Sequence, residues 1–142
     1  AALAALAGSQ LIVHPGDIGS PAVLDRLRAV APVVAVRGNN DRGAWADDLP
    51  ATEVAALDGV LLYTLHDVKE LDLDPRAAGF RAVIAGHSHR PGAEDRHGVL
   101  FLNPGSAGPR RFSLPLPLAR LTIRAGDLEA AIIPLEEAAR AR

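Results

Sequence analysis

The chemistry open to this chain rests on five histidines and a set of aspartates and asparagines, because it contains no cysteine. The densest group is Gly86-His87-Ser88-His89-Arg90-Pro91, directly after the apolar run from Ala82 to Ala85. On a backbone that stays extended, residues two apart point to the same side, so His87 and His89 converge on one point, an arrangement suited to a metal ion. A polar loop that happens to carry two histidines would read the same way in isolation. The difference lies in whether other strand ends bring oxygen and nitrogen donors to the same place.

Three stretches do so. Leu11-Ile12-Val13-His14 reads as a buried strand and runs into Pro15-Gly16-Asp17-Ile18-Gly19, where flanking glycines allow a sharp turn and leave Asp17 at the strand's carboxyl edge. The strand Pro32 to Val36 ends at Arg37-Gly38-Asn39-Asn40-Asp41, which repeats the pattern of a glycine followed by ligand-type side chains. Val60 to Leu65 delivers His66-Asp67. Asp17 as a turn aspartate, Asn39 as a left-handed turn residue and His66 as a structural histidine each have a plain reading alone; together they form a set.

The elements that must position these residues follow from local signals. Ser20-Pro21 opens a helix with apolar spacing through Ala31, and Ala44 to Leu49 is a second short helix. Asp58-Gly59 joins Thr52 to Leu57 and Val60 to Leu65 in a hairpin. Lys69 to Leu73 suits a loop, and Asp74-Pro75 caps a short helix ended by Gly79. Ala93 to Arg96 and Val99 to Leu102 form a hairpin about His97-Gly98, which assigns His97 no role. Alternation through Leu116, Leu118, Leu121 and Ile123, a turn at Ala125-Gly126-Asp127, and Leu128 to Ile133 give a last strand pair, with Glu136 to Arg142 a charged tail.

The 142 residues, nearly half of them apolar, suit a single domain over residues 1–142 with a hydrophobic core. A net charge of −2 gives no basic footprint, so bulk nucleic-acid binding is not expected. The apolar runs are too short to span a membrane and no signal peptide is visible, so a cytoplasmic protein is expected. With thiolates absent, a metal would sit on His, Asp and Asn, which favours hard or borderline ions.

Gly16-Asp17, Gly38-Asn39-Asn40-Asp41, Leu65-His66, Gly86-His87-Ser88-His89 and Asn103-Pro104-Gly105-Ser106 occur in the order and approximate spacing of the calcineurin-like metallophosphoesterases. The chain resembles the small YfcE-type phosphodiesterases of that superfamily from about Gly8 to Ile133. The resemblance implies a two-sheet α/β sandwich in αββα layers, with a two-metal site at the strand ends. By that likeness Asp17 bridges both ions, Asn39, His66 and His87 complete the second, and His89 serves the first; Asp17, Asn39 and His87 are the expected catalytic set. The implied activity is hydrolysis of a small phosphodiester with two divalent ions, Mn²⁺ first and Fe, Ni or Zn as alternatives. An oligomer is compatible with it. The alternative is a non-catalytic Vps29-like scaffold or an inactive remnant on the same fold.

Family members open with a strand ending in Asp-x-His, which supplies further ligands of the first metal, and this sequence has no such motif. Its opening Ala1-Ala2-Leu3-Ala4-Ala5-Leu6-Ala7 reads like the middle of a helix, so a preceding segment is expected in the full gene. Asn40 stands where many relatives carry a histidine that protonates the leaving group, although YfcE-type members also lack it. Proton donation is then left to water, to Asp41 or to nothing, and good leaving groups are favoured. Asp67 stands where relatives usually have glycine. Arg37, Arg110 and Arg111 could bind phosphate or simply be solvated, His14 could orient a ligand or be structural, and Asn103 to Ser106 could line the site or merely turn.

Overall fold

The structure is a computed structural model and describes residues 6–88, 91–105 and 117–134. Chain order is β1 (Ile12–His14), α1 (Pro21–Arg28), β2 (Val33–Ala35), α2 (Ala44–Asp47), β3 (Thr52–Leu57), β4 (Val60–Leu65), β5 (Phe80–Ile84), β6 (Gly92–Arg96), β7 (Val99–Asn103), β8 (Pro117–Arg124) and β9 (Asp127–Pro134). The strands form a parallel pair β1-β2, a five-stranded sheet in the order β3-β4-β5-β7-β6, and an antiparallel pair β8-β9. In the larger sheet β4, β5 and β7 run parallel, while β3 and β6 pair antiparallel to their neighbours at the edges.

Packing explains the layers. Val60, Leu62, Ala82, Ile84 and Leu102 of the large sheet face Leu11, Val13 and Val34 of the β1-β2 side and Leu121, Ile123 and Ile132 of β8-β9. This is the interior of a two-sheet sandwich. On the outer side of β1-β2, Leu27 and Ala31 pack on Ile12. The opposite face of the large sheet buries Tyr63, Leu65, Val83 and Val99 beneath Leu71 and Leu73, which follow a 3₁₀ turn at Val68–Glu70. The fold is the expected mixed α/β sandwich, but in place of the second helical layer of the αββα arrangement the segment carrying Leu71 and Leu73 covers the outer face of the large sheet among the described residues.

Among the described residues β1 pairs with β2 alone and β8 with β9 alone. Between them runs an open cavity of about 890 Å³, walled by Val13, Leu62, Ile84, Leu102, Leu121 and Ile123 and reaching Gly16, Asp17 and His87 at one end.

Several local expectations change. The hairpin β3-β4 has the expected ends, with Asp58 and Gly59 both at positive φ, as a two-residue reversal between right-twisted strands requires. Helix α1 stops at Arg28 instead of Ala31, and β2 is shorter than Pro32 to Val36. Ser20 stands at the N-cap position of α1 and Pro21 at its first turn, but the serine side chain makes no capping bond. Asp74 to Gly79 is a turn instead of a helix. Asp74 Oδ1 accepts from Arg76 N (3.1 Å) and Ala77 N (3.3 Å), and Gly79 at φ +88° ends the segment before a second turn of helix can form. The loop expected at Lys69 holds part of the 3₁₀ turn, capped by Asp67. The tail from Glu136 to Arg142 lies outside the described residues.

Candidate metal centre

Asp17, Asn39, His66 and His87 leave the carboxyl ends of β1, β2, β4 and β5 and meet. His66 Nε2 lies 2.7 Å from Asn39 Oδ1, 3.2 Å from His87 Nδ1 and 3.4 Å from Asp17 Oδ2, and His87 Nδ1 is 3.2 Å from Asn39 Oδ1. The base of the cluster is buried, with the side chains of His66 and Asp17 only 10% and 8% exposed, while Asn39 and His87 are exposed at its rim. A ligand can therefore enter from one side.

The turns that bring these groups together are tight. Gly16 has φ +104°, and a Cβ there would stand 2.6 Å from His66 Nδ1. A Cβ on Gly38 would collide with the backbone N and Oδ1 of Asp17. The β1 and β2 loops thus touch backbone to backbone, which places Asp17 beside Asn39. Asp17 itself is left-handed at φ +58°. Its carboxylate is held by Asn40, whose backbone N donates to Oδ1 (2.9 Å) and whose Nδ2 donates to Oδ2 (3.2 Å).

His87 departs from the sequence expectation. It does not continue β5 in extended form. Ser88 N donates to Gly86 O at 2.8 Å and His87 has φ +67°, a tight three-residue turn centred on a left-handed histidine. Asn103 at the end of β7 clamps this turn, donating from Nδ2 to Gly86 O (3.1 Å) and Ser88 Oγ (3.0 Å) while Oδ1 accepts from Gly105 N (2.9 Å). His89 lies outside the described residues, as do Ser106, Arg110 and Arg111. Arg37 forms a surface ion pair with Asp47 at 3.7 Å instead of facing the cluster.

Proton bookkeeping defines what the cluster can hold. His66 Nδ1 is 2.8 Å from Pro15 O, and a carbonyl only accepts, so Nδ1 carries a hydrogen and Nε2 is the nitrogen left to present a lone pair to a cation. That lone pair faces Asn39 Oδ1 and Asp17 Oδ2, which are acceptors too. Such a set is stable around a cation. Metal bonds of about 2.0–2.2 Å put neighbouring donors about 2.8–3.5 Å apart, close to the 2.7–3.4 Å of these separations. Among the described residues no three His, Cys, Asp or Glu side chains form a metal group on their own, and the Asn39 oxygen is what closes the set.

Two residues outside the expected set matter. Asp41 is buried, with Oδ1 accepting from Gly19 N (3.0 Å) and Oδ2 from Gly38 N (2.9 Å), so it ties the β1 and β2 loops together and does not stand free as a proton donor. His14 Nδ1 accepts from Gly16 N at 3.2 Å. Burial lowers its pKa, against the opposing pull of the Asp41 and Asp17 carboxylates, which keeps it neutral and suited to that acceptor role.

Residues 1–126 match the sequence model of the calcineurin-like phosphoesterase superfamily domain. The chain is 34% identical over 135 residues to a "probable metallophosphoesterase" of Methanocaldococcus jannaschii, covering 89% of this chain and 67% of the relative. Among solved structures it is similar to Vps29 of Entamoeba histolytica (TM-score 0.72, 23% identity, 93% and 87% of the two chains), a protein also solved in complex with zinc. It is similar as well to an archaeal phosphodiesterase (TM-score 0.69, 20% identity, 87% and 83%) and to the Escherichia coli phosphoesterase YfcE (TM-score 0.61, 24% identity, 94% and 88%).

Proposed function

Since the chain belongs to the calcineurin-like phosphoesterase superfamily, we propose that it is a metal-dependent phosphodiesterase acting on a small phosphodiester. The observation that carries this reading is the inward convergence of Asp17 Oδ2, Asn39 Oδ1, His66 Nε2 and His87 Nδ1, with the His66 hydrogen turned away onto Pro15. These four would hold one divalent ion, and Asp17 with His89 would contribute to a second. When bound, such ions polarise a phosphoryl oxygen and make hydroxide available near neutral pH.

The chain's own residues set the rest. Asn40 holds the Asp17 carboxylate on both oxygens, which fixes its direction. Asn40 has no acidic proton and both Asp41 oxygens accept backbone N–H groups, so neither protonates the departing oxygen. Substrates whose leaving alcohol is already acidic are accordingly favoured. The archaeal phosphodiesterase among the fold neighbours supports the diester reading.

The test is hydrolysis of bis-p-nitrophenyl phosphate under Mn²⁺ titration. Turnover is expected to rise with Mn²⁺ and to fall by at least tenfold in Asp17→Asn, which keeps the side chain's size but loses a charge. No turnover by the metal-loaded protein, with Mn²⁺ binding intact, would support a scaffold of the Vps29 kind instead.

A further inference from the structure

Resting on the metal-binding reading above, we propose that Asp67 is a positioning residue whose charge biases the hydrogen of His87 toward Nε2 and so keeps Nδ1 open to a cation. The His87 ring lies between two environments. Its Nδ1 is within hydrogen-bond reach of Asn39 Oδ1 and His66 Nε2, each at 3.2 Å, and its Nε2 faces Asp67 Oδ2 at 3.8 Å, a separation longer than a hydrogen bond, across which the carboxylate acts through its charge. A neutral imidazole has one hydrogen to place. In the metal-free protein the acceptors around Nδ1 draw that hydrogen inward, which would block the ring as a ligand. A carboxylate on the far side draws it outward.

Asp67 is built for this. It follows His66 at the end of β4, so one strand terminus delivers both a ligand and the carboxylate that faces the next ligand. Its Oδ1 accepts from Lys69 N at 3.0 Å and caps the 3₁₀ turn, which fixes the side chain and leaves Oδ2 turned toward His87. The carboxylate is more sheltered than the ring it faces, 23% against 46% exposed, so solvent screens it less than a surface partner. The Asn103 clamp immobilises the His87 backbone, and ring orientation and proton position are what Asp67 has left to set. Carboxylate partners of ligating imidazoles are worth roughly 10–100-fold in metal affinity.

Two variants separate this role from turn capping. Asp67→Ser keeps a capping oxygen and removes the carboxylate. Asp67→Asn keeps the cap through its carbonyl and turns an amide donor toward Nε2, which favours the hydrogen on Nδ1. Nitrogen NMR of the metal-free protein reads the His87 tautomer, and calorimetric Mn²⁺ titration reads affinity. The expected result is a falling Nε2–H population and affinity roughly 10–100-fold weaker, larger for Asn than for Ser, with melting temperatures near wild type. An unchanged His87 tautomer and Mn²⁺ affinity in Asp67→Asn would overturn the proposal while leaving the enzyme reading intact. If wild-type protein binds no Mn²⁺, the proposed function falls, and the tautomer shift alone decides the role of Asp67.

Discussion

His14 shows how one neutral side chain ties the site to pH. Burial lowers its pKa below the usual value near 6.5, and its Nδ1 must stay unprotonated to accept from Gly16 N. The unfolded chain therefore takes up this proton more readily than the folded one. The contribution of neutral His14 to stability is complete above about pH 6.5 and declines as pH falls from there toward the lower folded pKa. Urea midpoints measured from pH 7.5 to 5 should drop more steeply in wild type than in His14→Asn, whose side-chain oxygen replaces the acceptor without titrating. Parallel slopes would remove His14 from the account. Residues of this kind are hard to read from sequence. Asp17, Asn39, His66 and His87 were legible because they follow apolar runs at strand ends. The roles of Asn40, Asp41 and Asn103 depend on partners reached only through folding, such as Gly86 O lying 17 residues from Asn103.

At the scale of elements, the site depends on loops held to one another more than on the strands that lead into them. The Asp41 carboxylate links the loop after β1 to the loop after β2 through Gly19 N and Gly38 N. Gly38 is buried, so Asp41→Ala leaves an amide with no water to replace its acceptor and should cost about 1–3 kcal/mol. It should also weaken Mn²⁺ binding, because Gly38 abuts Asp17. Chemical denaturation and calorimetry on the same variant check both. Element boundaries divided by the same logic. The Asp58-Gly59 hairpin was legible because local turn chemistry and alternation agree. The stretch from Asp74 to Gly79 carried helix-start and helix-stop residues, but five or six residues do not repay helix nucleation. The left-handed turn at His87 has no local sequence signal, since the tertiary clamp of Asn103 holds it.

Among the described residues of the whole molecule, one face of the large sheet packs beneath Leu71 and Leu73, and the other packs on β1-β2 and β8-β9 beside the open cavity. Leu65 belongs to the first of these faces, and Ile84 lines the cavity between β1 and β8. Leu65→Phe should therefore cost about 1–3 kcal/mol by overpacking, whereas Ile84→Phe should be close to neutral or stabilising. Thermal melts of the two variants give the comparison, and equal losses would show the cavity walls to be as tightly packed as the other face. The strand order β3-β4-β5-β7-β6 had no signal in the sequence; the mixed α/β class was legible there as a family likeness. The cavity was not, because it arises from how strand pairs far apart in the chain face each other. The left-handed backbone at His87 has a consequence for any attempt to harden this protein. Glycine adopts φ +67° without the penalty of roughly 1 kcal/mol that a side chain pays there. His87→Gly should melt no lower than wild type and lose hydrolysis. A library screened for heat resistance alone would let glycine through at this position, and those survivors would be inert.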